Sequence, residues 1–399
     1  MDLTCLRESY RLDEIEWAML PGERPREAGC NARLAAHGKS PVARIAKIRI
    51  GDLTGFGISR ISKEQAQRLV GTPVKDMFYE NGAVKEAFRA LDFPLLDWLG
   101  KLADRSVYDM FNQHGGPSSV KSSIKVPCYD TTLYFDELHL TDNVAAIEWM
   151  SREAQDGRDR GHRNFKIKVG RGARWMETRK GLQRDIDIIR AIREVAGPEG
   201  KIMIDANNGY TSNMTKEVLM ETKDCALYWI EEAFHEDRVL YEDLREWMTK
   251  YQITVKIADG EGQADPRLME WARDKVIDIV QYDIINPGFS EWLLLGSKLD
   301  AWGAGSAPHS YGNIIGNYVN GHLAAAIKGF EFVEWDHAEV NGLDGSSYRI
   351  EDGFVAIPDS PGFGLQLDDA VFGRIRRDSG WVVKRDGIRK LGFAKTKGL

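Results

Sequence analysis

Asp205, Glu231 and Glu261 each close a short apolar run: Met203-Ile204-Asp205-Ala206-Asn207, Trp229-Ile230-Glu231-Glu232 and Ile257-Ala258-Asp259-Gly260-Glu261. Singly, an acid after a strand is usually a helix cap or half of a loop salt bridge. Three in succession are harder to treat that way. In a partly buried cleft they repel one another unless a cation lies between them, and oxygen-only ligation suits Mg²⁺, with Mn²⁺ able to use the same ligands. Asp259 lies two residues before Glu261 on the same strand face, so either can be the third ligand.

Upstream, Asn164-Phe-Lys-Ile-Lys-Val-Gly170 alternates apolar and charged residues. As a strand it places Phe165, Ile167 and Val169 on one face and Lys166 and Lys168 on the other. Two ammonium groups on one side need anionic partners if that side is buried. A metal beside Lys168 lowers its pKa toward that of a base working near neutrality. Downstream, Asp283, His309 in Ala-Pro-His-Ser, and Glu334 in Val-Glu-Trp-Asp end three further runs. A hydrogen bond from Asp283 would fix the tautomer of His309 and raise its basicity.

From Pro127 onward, short apolar strands alternate with amphipathic helices, the pattern of βα units around a parallel sheet. Eight strands are expected at 127–133, 165–169, 202–206, 228–232, 255–259, 279–283, 304–309 and 332–336, with helices such as 175–196, 215–222 and 291–300 between them. Eight units in about 210 residues suit a (β/α)8-type barrel, and no glycine-rich phosphate loop follows the first strand to support a dinucleotide fold. In such a barrel the chemistry lies at the C-terminal strand ends, where all of these polar groups fall. Before the barrel, strands are expected at 14–20, 42–50 and 54–57, the last with glycines where backbones approach closely, and helices at 63–112. Residues 20–41, with Arg24, Arg26 and Arg33 among prolines and glycines, form a loop long enough to act as a lid. The Gly- and Pro-rich stretch 353–365 reads as an extended return to the first domain.

The 399 residues carry a net charge of -7, with no basic surface for nucleic acid or an anionic membrane. No apolar run approaches the length of a membrane span. The N-terminus lacks a signal-peptide core, and the four cysteines have no metal-binding spacing, so a reduced cytoplasm is expected.

Taken together, these residues resemble the enolase superfamily and, within it, the mandelate racemase subgroup. Lys166-Ile167-Lys168 is similar to the family's Lys-x-Lys motif. Asp205, Glu231 and Glu261 match its metal ligands, Gly-Glu favouring Glu261 over Asp259. Asp283 and His309 match its Asp/His dyad, and Glu334 its eighth-strand acid. The resemblance implies a capping domain (1–125) with a lid at about 20–41, a modified (β/α)7β barrel (126–350), a C-terminal return (351–399) and a homo-oligomer. Ala233 replaces a usual proline, the bulky Phe289 follows Gly288 after the sixth strand, and Ile58 replaces a common acid. These departures bear on substrate fit more than on catalysis.

The activity so implied is Mg²⁺-dependent removal of the proton α to a small substrate's carboxylate through an enediolate, by Lys168 or His309. The expected outcome is dehydration of an aldonate or aldarate to a 2-keto-3-deoxy acid, with Asn207, Arg24 and Arg26 as candidate substrate contacts. Racemisation or epimerisation of a 2-hydroxy acid, cycloisomerisation, and a non-catalytic binding role on the same fold remain open alternatives.

Overall fold

The computed structural model describes residues 3–112, 123–312 and 314–385. The last fourteen residues of the expected C-terminal segment lie outside that set. The chain begins with an antiparallel sheet of β1 (Glu14–Glu23), β2 (Val42–Ile50) and β3 (Leu53–Ile58), whose buried residues include Ile15, Ala18, Ile45, Ile48 and Phe56. Helices α1 (Lys63–Leu69), α2 (Asp92–Ala103) and α3 (Val107–Phe111) follow. The glycines of β3 serve the close approach anticipated for them: a Cβ on Gly55 would stand 2.3 Å from the Pro94 carbonyl, and one on Gly57 2.6 Å from Phe93 Cβ. Only glycine lets α2 lie directly on this strand.

The barrel strands are β4 (Ile124–Leu133), β5 (Asn164–Lys168), β6 (Ile202–Asp205), β7 (Trp229–Glu231), β8 (Lys256–Asp259), β9 (Ile279–Val280), β10 (Gly305–Ser306) and β11 (Val333–Trp335). Seven helices connect them: α4 (Asn143–Asp159), α5 (Thr178–Ala196), α6 (Ser212–Glu221), α7 (Arg238–Lys250), α8 (Leu268–Arg273), α9 (Phe289–Trp302) and α10 (Gly316–Asn320). Parallel ladders run from β4 through β10, and β11 pairs β4 on its other side. Between β10 and β11 the contact narrows to a parallel bridge, Ser306↔Phe330. All eight strands expected from the sequence are present, in (β/α)7β order. β9 and β10 are shorter than their apolar runs because regular pairing thins after Val280, then resumes in a bridge of Asp283 to His309. Inside the barrel, Tyr129, Met203, Trp229, Ala258, Ile279, Ala307 and Phe332 pack as a floor beneath the strand ends.

After β11 the chain touches the first sheet through β12 (Glu339–Val340), which pairs β1. Short strands β13 (Leu343–Asp344), β14 (Arg349–Glu351), β15 (Phe354–Ile357) and β16 (Gln366–Leu367) follow, then α11 (Asp369–Ser379) and β17 (Trp381–Lys384). The stretch 353–365 does reach the first domain: Gly362 bridges Ser106 and the Phe363 N–H donates to Asp97, but the segment first runs along the barrel. β15 pairs antiparallel with β4 across Ile124–Pro127, closing the lower end of the barrel. A second return follows, where β17 pairs β1 and Trp381 stacks on Trp17 at 6.1 Å.

One polar chain crosses the seam between the cap helices and the barrel. The Tyr108 backbone N–H donates to His322 Nδ1 (3.1 Å), which places the imidazole proton on Nε2, 2.8 Å from Tyr348 Oη; that hydroxyl in turn donates to the Phe363 carbonyl. Burial lowers the His322 pKa to about 3. In the unfolded chain it returns to about 6.5. The folded state therefore binds fewer protons between these values, and stability is lost as pH falls from about 6.5 toward about 3, by up to about 5 kcal/mol from this group. Urea unfolding at pH 7 and pH 4.5 should show about half of that loss, roughly 2–3 kcal/mol, and His322→Gln, which cannot titrate, should flatten the slope. Equal slopes would show that His322 is not the group responsible.

Candidate active site

Period-two alternation in β5 turns Phe165 and Ile167 outward into the core and Lys166 and Lys168 inward, where each is nearly inaccessible to solvent. The anionic partners that such burial demands are the strand-end acids. Lys166 Nζ lies 2.7 Å from Glu231 Oε1, 2.9 Å from Glu334 Oε1 and 3.6 Å from Asp205 Oδ2. Lys168 Nζ donates to Asp205 Oδ2 and stands 5.3 Å from the Tyr134 ring centroid. Burial, the largest influence, works to lower the Lys168 pKa, but Asp205, Glu261 and Glu231 together outweigh it and the group sits above its ordinary value. The depressed lysine expected from sequence is therefore not the state of this arrangement. With Asp205 engaged by a cation, the effect of burial would prevail.

One oxygen each from Asp205, Glu231 and Glu261 lies within 4.8 Å of the others. Asp259 is turned away: its carboxylate accepts from the Tyr241 hydroxyl on α7 and from the Gly260 N–H. Gly260, with φ of 129°, redirects the chain so that Glu261 reaches the mouth. Glu261 Oε2 is buried with no hydrogen-bond partner. Burial and neighbouring carboxylates push Glu231 up to about 7 and Glu232 up to about 9. An orphaned carboxylate oxygen and a surplus of confined negative charge fit a divalent cation, and the all-oxygen donor set suits Mg²⁺. Glu261→Gln should therefore weaken Mg²⁺ binding on the order of 100-fold, about 3 kcal/mol. Asp259→Asn should leave it within about threefold; calorimetric titration of both variants checks the assignment.

Across the mouth, the Asp283–His309 bridge brings His309 Nδ1 to 3.7 Å from Asp283 Oδ2. Nε2 then faces the centre, 3.6 Å from Glu261 Oε2 and 3.7 Å from Glu334 Oε2. Burial opposes a charge on this ring, yet the three carboxylates win and raise its pKa to about 10. Glu334 is fixed by Thr131 Oγ1 (2.8 Å) and the backbone N–H groups of Ser310 (2.7 Å) and Tyr311 (2.9 Å). Against burial, Lys166 first, then His309 and the Ser310 N–H, hold its pKa well below the carboxylate range. Lysine from the second barrel strand, acids from the third to fifth, Asp and His from the sixth and seventh, and Glu from the eighth thus converge on one cleft. Residues 149–371 match the family described as enolase C-terminal domain-like.

The chain belongs to the enolase C-terminal domain-like family.

Among solved structures, it is similar to the galacturonate dehydratase of Geobacillus sp. complexed with D-galacturonate and 5-keto-4-deoxy-D-galacturonate. That match has 50% identity and a TM-score of 0.90, over 94% of this chain and 100% of that one. A mutant of the same Geobacillus enzyme has been crystallised in complex with Mg. Arabinonate dehydratase of Saccharolobus solfataricus is 29% identical over 301 residues, 74% of this chain and 73% of its own. L-talarate/galactarate dehydratase of Salmonella typhimurium LT2, liganded with Mg and L-lyxarohydroxamate, has 22% identity and a TM-score of 0.71 over 94% of this chain and 95% of its own. It shares the fold.

Within this site, two arginines of the loop expected to be a lid have protein partners. Arg24 is buried in a bidentate ion pair with Asp336, its Nη2 2.8 Å from Oδ2 and its guanidinium carbon 4.9 Å from the Tyr311 ring centroid. Arg26 donates to the Thr132 carbonyl and hydroxyl, both at 3.0 Å, and lies 3.4 Å from Glu153. Arg33 is exposed and lines a cleft of about 430 Å³ with Asn207, Glu232 and Glu261. Asn207 adopts φ of 41° and donates to Glu232 Oε2 (2.8 Å), while its buried Oδ1 has no partner.

Three residues not expected from the sequence, His37, Tyr134 and Tyr311, stand beside Lys168 and Arg24. The His37 ring is edge-on to both tyrosines, at 5.0 and 5.4 Å, and its Nε2 is buried without a partner. Burial first, then Lys168 and Arg24, lower its pKa to about 4. As the imidazole of the loop expected to be a lid, His37 was visible in the sequence.

Proposed function

We propose that this chain is an acid sugar dehydratase, and that its sugar is a hexuronate of the galacturonate type. The observation that carries the reading is the placement of Lys168 and the Asp283–His309 pair, from the second and the sixth and seventh barrel strands, around the carboxylates of strands three to five. Support for the substrate comes from the Geobacillus enzyme, similar at 50% identity over 94% of this chain.

Asp205, Glu231 and Glu261 would hold Mg²⁺, which when bound acidifies the α-proton of a coordinated carboxylate and stabilises the enediolate left on its removal. Lys168 takes the α-proton at Nζ. His309, kept in its cationic form by Asp283, Glu261 and Glu334, gives a proton from Nε2 to the β-hydroxyl, which leaves as water. Asp283 holds the ring so that Nε2 faces the centre. The enol then becomes a ketone. Relative to its carboxyl carbon the product is an α-keto-β-deoxy acid: 2-keto-3-deoxy for an aldonate, 5-keto-4-deoxy for a uronate numbered from the other end. Lys166 remains bound to Glu231 and Glu334 and fixes both. Burial of both proton-transfer groups excludes bulk water.

The test is a panel of hexuronates, aldonates and aldarates with Mg²⁺, read by NMR for keto-deoxy acids. Product from D-galacturonate is expected. Turnover of an aldonate or aldarate with none from any uronate would overturn the substrate assignment while leaving the reaction class intact. His37 offers its unpartnered Nε2 to a distal hydroxyl of the sugar. His37→Ala should raise KM on the order of tenfold, about 1 to 2 kcal/mol, with kcat changed far less. An unchanged KM would remove His37 from the substrate contacts.

A further inference from the structure

A second cluster lies outside the barrel wall. Asp130 sits on β4 beside Tyr129, whose ring belongs to the barrel floor, so alternation turns the Asp130 carboxylate outward beneath α4. Gly157 makes room for it: a Cβ there would stand 2.5 Å from Asp130 Oδ2. His162 arrives from the turn between α4 and β5, and His337 lies two residues beyond β11. Their Nε2 atoms are 2.9 Å apart with the rings perpendicular, and His337 Nε2 is 3.9 Å from Asp130 Oδ2. One atom from each residue lies within 4.8 Å of the others, the same closeness that gathers Asp205, Glu231 and Glu261.

Asp130 Oδ1 is already held by the Thr132 N–H (2.8 Å) and hydroxyl (2.6 Å), which leaves Oδ2 toward the imidazoles. His162 is fully buried, and its Nδ1 has no partner. Burial lowers the pKa of both histidines. It opposes ionisation of Asp130 as well, but His162, His337 and Arg26 hold that carboxylate below its usual value. Neutral imidazoles and an ionised carboxylate are the protonation states in which these groups bind metals. Of the neighbouring cations, Arg26 is engaged by Thr132 and Glu153, while Arg160 faces both histidines and helps lower their pKa values. A cleft of about 470 Å³, lined in part by Lys39, Arg160 and Glu339, opens onto His337 and admits an ion and a water ligand.

We propose that Asp130, His162 and His337 form a second metal site, for a divalent transition ion of the zinc class, that clamps the seam between the first and last barrel strands. Two imidazoles and a carboxylate favour such an ion over Mg²⁺. The site is independent of the proposed dehydration.

The test uses the full chain, stripped with a chelator and returned to excess Mg²⁺. Zn²⁺ is then titrated in competition with a chromophoric chelator. One equivalent per chain is expected. It should persist in Glu231→Gln, and weaken at least 100-fold in His337→Ala and Asp130→Asn, with His337→Cys recovering part of the affinity. Equal Zn²⁺ binding by wild type and His337→Ala, or an equivalent that disappears with Glu231→Gln, overturns the proposal and leaves a neutral His–His hydrogen bond. Should these variants fail to fold, Co²⁺ bound to the wild type in excess Mg²⁺ decides. Intense visible bands of a low-coordinate, nitrogen-ligated ion support the site. Only the weak bands of an all-oxygen octahedral ion sink it.

Discussion

Lys168→Met is expected to reduce turnover by about 10³-fold or more and to abolish exchange of the substrate's α-hydrogen with solvent D₂O, since positioned acid–base groups contribute roughly 10²–10⁴-fold each. His309→Asn should reduce dehydration by a similar factor while the α-deuterium exchange survives, because proton removal and hydroxyl departure fall to different groups. The two lie on separate walls of the cleft, Lys168 against Asp205 and Tyr134, His309 against Asp283, Glu261 and Glu334. NMR of a substrate incubated in D₂O reads both activities in one tube. If His309→Asn loses exchange and Lys168→Met keeps it, the roles are reversed. If both keep full dehydration, neither residue carries the chemistry.

Arg171→Met should lower stability by about 3–5 kcal/mol, the usual result of breaking a buried ion pair from one side. Arg171 is fully buried between Glu137 (2.7 and 3.1 Å) and Asp185 (2.7 Å), with its guanidinium carbon 4.3 Å from the Phe135 ring centroid. The substitution leaves both carboxylates buried without their main cation: Asp185 keeps only the Gly170 and residue-171 backbone N–H groups and the Tyr210 hydroxyl, and Glu137 keeps as cation only Arg184 at 4.0 Å. Its Nη1 also donates to the Lys168 carbonyl at 3.1 Å, so the lysine backbone loses an anchor. Denaturant unfolding should show the loss. Replacing Glu137, Arg171 and Asp185 together by apolar residues of similar volume should recover much of it. A loss below about 1 kcal/mol for Arg171→Met alone would mean that water reaches the pair.

Much of this site was readable in the sequence because period-two alternation and a terminal acid are local signals. Lys166 and Lys168 share a face by parity, and Asp205 and Glu231 end their strands where the apolar runs stop. Parity could not separate Asp259 from Glu261. That choice is made by the turn at Gly260 and by Tyr241 on α7, which claims Asp259. The protein partner of Arg24, offered by the sequence only as a candidate substrate contact, was not legible because the Arg24–Asp336 pair joins positions 312 residues apart, beyond any local pattern. The cluster of Asp130, His162 and His337 escaped for the same reason, its members being scattered across a strand, a turn and a strand exit. The pairing of β15 with β4 was hidden by the Gly/Pro-rich composition around it.

The first strand, finally, has a consequence for the order of assembly. β1 pairs with β2 nearby, but also with Glu339–Val340 and Trp381–Lys384. Those partners leave the ribosome more than 300 residues after β1 itself. The N-terminal sheet must therefore wait with an open edge while the barrel forms, and such edges invite pairing with other chains. Closing so long a loop is slow but thermodynamically tolerable, since its entropy grows only with the logarithm of length. The loop between β1 and β2, expected from the sequence to act as a lid, belongs to this late-completed sheet, so a nascent or C-terminally clipped chain would hold a formed barrel mouth before that loop is fixed.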